Sequence, residues 1–308
     1  MDLSQLEMLV AVAQEQSFSR AAGRVHRTQS AVSQAIQRLE GEIGSSLFDR
    51  SSRSGTLTEA GRVLYEYAQQ MLNLRREARA AIQDVGSLRR GKISIAANEY
   101  TVLYLLPVLS AYRVRHPHIA VAIKRSLASQ IPSEVLAREA EIGIVTYRPA
   151  QPALTVVPIA KDETALLVAP GHPLAGRINV SLRELGAESF LSHNVRSPYR
   201  ERVVRTFERY RTPLHIAMEL PTLEAVRRLV VLGFGVALMP RRAAEVEIAR
   251  GEIVAIGVRE MRFERPVHLV YRTKALSHAA LAFVQCAREL YRASEDGPQQ
   301  GARSAEEG

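Results

Sequence analysis

The chain has 308 residues, with 41 Lys and Arg against 32 Asp and Glu, and a formal net charge of +9. At roughly 100–200 residues per domain, this length predicts two or three domains, and a composition of 46% apolar and 24% charged residues argues against general disorder. The single cysteine, Cys286, excludes a disulfide-stapled secreted module.

The sequence constrains the cellular location and the class of binding partner less tightly than the domain count. The start, Met1-Asp2-Leu3-Ser4, lacks the basic and then apolar pattern of a signal peptide. Every apolar run is interrupted by charge well before the roughly 18 residues that span a bilayer. We therefore expect a soluble, cytoplasmic protein without a membrane partner. The basic balance is compatible with nucleic acid, an acidic membrane surface or anionic ligands, and does not choose among them.

Three short helices are predicted in the first 45 residues. Apolar residues recur with a helical period over 3–13, a second helix runs over about 18–25 with Ser17 as its N-cap, and a third begins near Thr28. The third helix has a core face of aliphatic residues at helical spacing. These residues are Val32, Ile36, Leu39 and Ile43.

The opposite face of the third helix carries hydroxyls, amides and one guanidinium instead of the Glu and Lys mixture of a merely solvated helix. Its residues are Ser30, Ser33, Gln34, Gln37 and Arg38. Amides and guanidinium groups can hydrogen-bond base edges in a major groove, and hydroxyls suit phosphate or either base. For this helix taken alone, an ordinary polar surface is the alternative interpretation.

A basic hairpin is predicted after the third helix. Two β-like pieces, 47–50 and 56–57, flank a loop that contains Gly55. Arg50 and Arg53 lie on or beside its tip, where an arginine reaches phosphate or a minor groove. Three helices and such a wing predict a winged helix-turn-helix whose third helix enters the groove.

Short motifs follow one another in fixed order over these sixty residues. They are Phe18-Ser19-Arg20-Ala21-Ala22, the stretch 29–40, Gly44, Leu47-Phe48-Asp49-Arg50 and Leu57-Thr58-Glu59-Ala60-Gly61. In this set the chain resembles the LysR-type transcriptional regulators, although Ser30 stands where that family commonly has Pro. The resemblance implies a DNA-contacting set of Thr28, Gln29, Ser30, Ser33, Gln34, Gln37, Arg38, Arg50 and Arg53.

A long helix is predicted from Thr58 to about Leu88. Its apolar residues are spaced alternately by four and three over four heptads, which is typical of a coiled-coil seam. At 1.5 Å per residue the helix would be about 46 Å long, and a stripe of that length favours a partner over packing within one domain. We expect dimerisation through Leu64, Tyr67, Met71, Leu74, Ala78, Ala81 and Val85.

From Lys92 onward strands and helices alternate, which predicts βαβ units, a parallel sheet and an α/β class. This part resembles the two-lobed, periplasmic-binding-protein-like effector domain of the same family. The expected organisation is a winged helix-turn-helix domain at 1–58, a linker helix at 59–90, an effector-binding domain at 91–294 and a disordered tail at 295–308. Lobe I would comprise about 91–161 and 267–294, and lobe II about 162–266.

Ligands of such sheets bind beyond the carboxyl ends of the strands, where helix N-termini present free amides. That rule selects candidate effector-binding residues Asn98, Thr101, Ser129, Thr146, His193, Asn194, Thr222 and Phe234. Taken singly, each suits an ordinary cap or turn role. Arg196 and Arg200 could hold an anionic effector, whereas Glu99 at the same mouth would oppose one.

Three other functions are alternatives for such a chain. An enzyme is disfavoured because the chain has no G-x-S-x-G motif, P-loop or Cys/His pair with a recognisable signature. A solute-binding protein without a DNA role would not need the third helix and its long seam, and a redox switch would need a second cysteine. The sequence therefore predicts a sequence-specific LysR-type regulator, without cofactor, metal or catalytic residue, controlled by a small-molecule effector.

The resemblance also implies partners. These are double-stranded promoter DNA with an imperfect inverted repeat, RNA polymerase if the regulator activates, and further copies of the chain in a homodimer or homotetramer. The charge is unevenly divided: residues 1–90 hold 12 Arg, no Lys and 10 acidic residues. Most of the surplus therefore lies in the effector half, where none of these expectations explains it.

Overall fold

The computed structural model describes residues 1–49, 55–84, 91–195, 197–262, 265–274 and 276–296. The chain divides into two compact units. The N-terminal unit comprises residues 1–91 with 137–139, and the C-terminal unit comprises the other described residues from 92 onward. Each unit encloses its own hydrophobic core.

The N-terminal unit is built from four helices. They are α1 (Leu3–Glu15), α2 (Phe18–Arg24), α3 (Gln29–Ile43) and α4 (Glu59–Asp84). Each of the first three begins at a polar N-cap whose side chain accepts the backbone N–H three residues further on. The caps are Asp2, Ser17 and Thr28, so the cap predicted at Ser17 is present.

The core face of α3 follows its apolar periodicity. Val32, Ile36 and Leu39 are buried, as the spacing predicts. Ile43 differs, with 40% of its surface exposed, because it is the last residue of the helix. Gly44 follows it in the left-handed region at φ 74° and ends α3.

A short hairpin follows α3. Phe48 and Leu57 form an antiparallel bridge, and the Phe48 ring packs edge-on against Phe18 at 5.4 Å. The Glu40 carboxylate fixes the entry to the hairpin, since its Oε1 accepts the backbone N–H of Leu47 at 2.7 Å. The tip, with Arg50 and Arg53, lies outside the described residues.

Two apolar rows run along α4. One row packs against the core of the N-terminal unit and consists of Ala60, Leu64, Ala68 and Leu72. Leu64 packs in part against this core beside Ala68, and its place in the expected seam stays a prediction. The second row, Val63, Tyr67, Met71 and Leu74, is exposed, as is Ala78. Ala81 falls within α4, and Val85 lies outside the described residues.

Lobe I of the C-terminal unit is a five-stranded sheet with helices. Its strands are β1 (Gly91–Ala97), β2 (Ile119–Arg125), β3 (Ile142–Val145), β4 (Leu154–Asp162) and β11 (Arg265–Arg272), in the order β2-β1-β3-β11-β4. Its helices are α5 (Leu106–Arg115), α6 (Ile131–Leu136) and α10 (His278–Asp296), with a 3₁₀ turn at Thr101–Leu105. Strands β1 and β3 are parallel, whereas β11 is antiparallel to both β3 and β4.

Lobe II contains a four-stranded and a two-stranded sheet. Its strands are β5 (Thr164–Val168), β6 (Asn179–Val180), β7 (Ser189–His193), β8 (His215–Leu220), β9 (Ala237–Pro240) and β10 (Val254–Val258). The orders are β6-β10-β5-β9 and, in parallel, β7-β8. The helices are α7 (Pro198–Arg209), α8 (Leu223–Val231) and α9 (Glu245–Ala249). The chain passes between the lobes at Glu163 and again between Val258 and Arg265.

The five-stranded and four-stranded sheets are mixed, which corrects the expectation of parallel sheets, and only the β7-β8 pair among the described strands forms a purely parallel sheet. The crossing strand β11 returns antiparallel between β3 and β4, and β5 pairs antiparallel with β9 and β10. Strands β4 and β10 were not predicted from the sequence at all. The sequence pattern predicts a helix over 133–140, whereas α6 is shorter and begins earlier, at Ile131–Leu136.

Candidate DNA interface and effector cavity

The polar face of α3 is exposed along its length. Ser30, Gln34, Gln37 and Arg38 are solvent-exposed, whereas Ser33 is half-buried. Within the described residues Gln34, Gln37 and Arg38 make no hydrogen bond or ion pair, so their donors and acceptors are unused. The row from residue 30 to residue 38 is about 12 Å long at 1.5 Å per residue, a length that fits a major groove.

The N-terminal turn of α3 is internally bonded. The Thr28 hydroxyl accepts the N–H of Ala31 at 3.2 Å and lies 3.1 Å from the Ser30 hydroxyl. The Gln29 amide donates to the Ser33 hydroxyl at 3.1 Å. Thr28 therefore has a capping role in addition to the predicted contact, and Gln29 and Ser33 hold each other in place.

A cavity of about 480 Å³ opens between the two lobes of the C-terminal unit. It is lined by the loop after β1, the end of β2 and the following turn, and the segment after β7. Its polar lining comprises Asn98, Glu99, Tyr100, Lys124, Arg125, Ser126, Gln130, Glu134, His193 and Ser197.

Of the eight predicted effector-binding residues, only Asn98 and His193 line this cavity. The structure places the other six elsewhere: Thr101, Ser129, Thr146, Asn194, Thr222 and Phe234. Thr101 is fully buried and forms a closed turn with Asn98, whose side-chain oxygen accepts the N–H of Thr101 at 2.8 Å while the Thr101 hydroxyl accepts the N–H of Asn98 at 3.0 Å. Ser129 and Asn194 are exposed, and Phe234 is 58% exposed.

Glu99 joins the two lobes across the cavity. Its Oε1 accepts the N–H of Leu223, the first residue of α8, at 2.8 Å. Its Oε2 lies 3.5 Å from His193 Nε2 and 3.7 Å from a guanidinium nitrogen of Arg125. A carboxylate from lobe I therefore occupies the positive end of a lobe II helix. The Thr222 hydroxyl accepts a second amide of the same turn, that of Ala225.

The N-terminus of α8 is consequently not a set of free amides, which corrects the rule applied to the sequence. The Arg200 side chain also has partners within the protein, because it donates to the His193 carbonyl at 2.9 Å and pairs with Glu219. Arg196 lies outside the described residues. On the lobe I side, Glu134 accepts from the Ser126 hydroxyl at 2.6 Å and pairs with Lys124 at 3.3 Å.

A buried polar cluster lies at the hinge beside this cavity. Arg265 pairs with Asp162 at 3.0 Å, and their side chains are only 7% and 1% exposed. The Tyr104 hydroxyl donates to Asp162, and Arg265 donates to the Thr146 hydroxyl at 3.3 Å. The Arg265 guanidinium also stacks on the ring of Tyr199 in lobe II, 4.2 Å from its centroid. The cluster thus links both crossover strands to both lobes.

Burial sets the protonation of this cluster. It raises the pKa of Asp162, and the Arg265 guanidinium and Tyr104 hydroxyl offset that effect only in part. Burial also raises the pKa of Tyr199 to about 12, although the Arg265 charge acts in the opposite direction. Burial raises the pKa of Tyr104 as well, so both tyrosine hydroxyls stay protonated at ordinary pH.

Several residues of the site were not selected from the sequence. Lys124, Arg125 and Glu134 line the cavity, and Arg265 anchors the hinge. The consecutive Lys124 and Arg125 at the end of a predicted strand were the available signal for the first two. Arg265 carries no such signal, because it is buried only through contacts distant in sequence.

Within the described part of the chain, no helix is long and apolar enough to cross a membrane. Across those residues, no group of three or more His, Cys, Asp or Glu side chains could hold a metal ion. Cys286 is buried and has a free thiol.

Two family models match the chain. Residues 3–62 match the bacterial regulatory helix-turn-helix protein, lysR family, and residues 86–292 match the LysR substrate binding domain. Similar curated proteins include a probable RuBisCO transcriptional regulator of Synechocystis sp., 32% identical over 89% of this chain and 83% of that protein. A RuBisCO operon transcriptional regulator of Allochromatium vinosum is 30% identical over 91% and 93%.

The fold is also similar to solved structures. CbnR, a LysR family transcriptional regulator, superposes with a TM-score of 0.71 at 22% identity, over 94% of this chain and 99% of that one. Full-length CbnR in complex with its target DNA gives a TM-score of 0.70 over 94% and 100% of the two chains. The chain belongs to the LysR family of DNA-binding transcriptional regulators, with a helix-turn-helix domain and an effector-binding domain.

Proposed function

We propose that α3 reads promoter sequence through Ser30, Gln34, Gln37 and Arg38, and that a small molecule in the inter-lobe cavity controls the regulator. The observation that carries the first part is the exposed, unpaired amide and guanidinium row of α3. Glutamine can bond adenine bidentately and arginine guanine, so the row can discriminate bases. Thr28, Gln29 and Ser33 would shape its start, and Arg50 and Arg53 would supply wing contacts to phosphate.

Dimerisation through α4 would present two copies of α3 to the halves of an inverted repeat. The exposed row Val63, Tyr67, Met71 and Leu74 supports this proposal, because apolar side chains at helical spacing are stabilised by a second helix. We assign residues 1–58 to DNA binding, 59–90 to the linker and 91–294 to effector binding. The regulator would act in the cytoplasm without catalysis, as a dimer or tetramer.

The cavity suits a polar small molecule. It carries two cationic and two anionic side chains, and its walls belong to lobes joined through hinge strands. A ligand that contacts both walls favours one lobe angle, and this population shift would change the geometry of the paired DNA-binding domains. The RuBisCO regulators among the relatives make a RuBisCO operon promoter the first target to test, together with the region upstream of the chain's own gene.

A mobility-shift titration tests the reading surface. The variant carrying Gln34→Ala and Gln37→Ala should bind its promoter site at least about tenfold more weakly, because each bidentate base contact contributes about 1–3 kcal/mol. Binding to unrelated duplex should change far less. Gln151→Ala, an exposed glutamine of the C-terminal unit, is the matched control. Equal promoter affinity in the α3 variant would remove α3 as the reading surface.

A further inference from the structure

A second concave surface lies on lobe II and shares no residue with the inter-lobe cavity. It encloses about 660 Å³ between α7 and the segment that links β10 to β11. We call it the arginine groove and define it by its five guanidinium side chains. They are Arg202, Arg205, Arg209, Arg259 and Arg262.

Helical geometry explains why three of these arginines share a wall. At 100° per residue, Arg202, Arg205 and Arg209 fall within a sector of about 60°, and they extend over about 10 Å of α7. The opposite side of α7 is anchored, because Val203 and Phe207 are buried in the lobe II core. The arginine row is therefore held facing outward.

The other wall is fixed by hydrogen bonds and an ion pair. Arg262 donates to the Asn179 side-chain oxygen at 2.6 Å, and Arg259 lies 3.3 Å from Glu184. These contacts hold the two guanidinium groups opposite α7 without using all of their donors.

The positive charge of the groove is only partly compensated. Among the described residues that line it, Glu260 is the one acidic side chain, and that carboxylate accepts the N–H of Leu182 at 2.8 Å. Glu201 pairs with Arg205 at 2.9 Å, but both side chains are largely exposed, so the pair is weak. Arg209 has no hydrogen bond or ion pair among the described residues. The C-terminus of α7 favours a cation at that position.

The groove continues beyond α7. An adjoining concavity of about 420 Å³ shares Arg209 and Tyr210 with it and adds Arg183 and Arg211. An elongated surface with charges spread over 10 Å or more fits an extended anion better than a single small ion. The guanidinium fork is always charged and matches the oxygens of a phosphate group bidentately.

We propose that the arginine groove binds phosphate groups, two or more carried on one polyanion. Two sources have this chemistry, a free polyphosphate compound and the phosphodiester backbone of the DNA that the regulator occupies. The proposal does not depend on what fills the inter-lobe cavity. It also gives a role to the positive charge that the effector half carries in surplus.

The first experiment uses inorganic tripolyphosphate as the probe, titrated calorimetrically into the full chain at low salt. A variant with Arg205→Gln and Arg209→Gln should bind at least tenfold more weakly than the wild type. A matched control with Arg113→Gln and Arg292→Gln removes the same charge from exposed positions of lobe I and should bind as the wild type does. Loss of binding instead in a variant with Lys124→Gln and Arg125→Gln would place the anion in the inter-lobe cavity and overturn the proposal.

The second experiment tests the DNA backbone as the source. The logarithm of DNA affinity falls with the logarithm of salt concentration by about 0.9 per neutralised phosphate. The groove variant should lower this slope by about 1.8 if both arginines contact the backbone, with sequence discrimination unchanged, and the lobe I control should not. A lower slope without tripolyphosphate binding identifies DNA as the source. If the groove variant changes neither the slope nor the tripolyphosphate affinity, the proposal that the arginine groove binds phosphate groups is refuted. Base reading by α3 does not depend on this outcome.

Discussion

Replacing Asp162 by asparagine tests the hinge cluster, because the change keeps the size of the side chain and removes its charge. Asp162 is 1% exposed and 3.0 Å from Arg265, which is 7% exposed. Arg265 cannot lose its proton, so the variant leaves a buried guanidinium without a counter-charge. The Thr146 hydroxyl, the Tyr199 ring and the amide oxygen of the new asparagine would be its uncharged partners.

The expected cost follows from the burial of the pair. Removing one member of a buried ion pair costs about 3–5 kcal/mol of unfolding free energy, and the amide oxygen of asparagine keeps one acceptor, so we expect about 3 kcal/mol. For a unit of this size, each kcal/mol lowers the melting temperature by about 2–4 °C. The melting temperature of the C-terminal unit should therefore fall by roughly 6–12 °C.

The double variant with Asp162→Asn and Arg265→Gln should recover most of that loss. It removes both desolvated charges, and the raised pKa of Asp162 shows that burying its carboxylate is already unfavourable. The chain has no tryptophan, so circular dichroism during urea unfolding is the appropriate measurement. A single variant that loses less than about 1 kcal/mol, or a double variant whose loss equals the sum of the two single losses, would refute the reasoning.

Three further outcomes are expected. Gly61→Ala should lower the melting temperature of the N-terminal unit and weaken DNA binding, because its Cβ would lie 2.0 Å from the Leu47 carbonyl oxygen. Gly41→Ala, whose Cβ meets nothing within 4 Å, should keep the wild-type unfolding free energy or raise it by about 0.5–1 kcal/mol. Equal effects of the two substitutions would contradict the packing argument. Tyr67→Glu should shift sedimentation toward smaller species, and an unchanged assembly would exclude this face of α4 from the seam. Burial lowers the pKa of His268, so its contribution to the unfolding free energy should be constant above pH about 6.5 and should decrease as the pH falls below that value. His268→Gln should flatten that decrease. A decrease of the same size in the variant would assign it to another group.

Local patterns predicted the N-terminal unit well. The cap at Ser17 and the buried row of α3 depend on residues within one or two helical turns. Leu64 shows the limit of such patterns. It belongs both to the heptad spacing of the seam and to a row spaced by four residues, so the pattern alone does not determine its face of the helix. Leu64 is half-buried against the core of the unit, and its place in the seam stays a prediction.

The strands missed in the sequence have identifiable causes. Strand β4 contains Pro158, which argues against a strand, yet β4 is an edge strand and the ladder shifts register opposite that residue, next to His268. Strand β10 contains Gly257, where a Cβ would lie 2.3 Å from the Asn179 side-chain oxygen. Glycine weakens a strand pattern but is required by this close approach.

The effector-binding residues were harder to predict because caps and ligand contacts use the same side chains. Thr101 and Thr222 have the composition of a binding site, but their hydroxyls complete a turn and a helix cap. The cavity combines charged side chains of lobe I, between residues 99 and 134, with residues 193–197 of lobe II. The spacing of these residues along the chain does not indicate that they lie close together in the fold.

Glu99 gives the C-terminal unit a built-in competitor for its own cavity. The carboxylate that bonds Leu223 is tethered to the same chain, so its effective concentration at that amide is on the order of millimolar. An incoming anion that seeks the same N–H must displace Glu99, whereas a ligand without negative charge need not. For a ligand that reaches this amide, the loop after β1 would set a concentration threshold and a charge filter together.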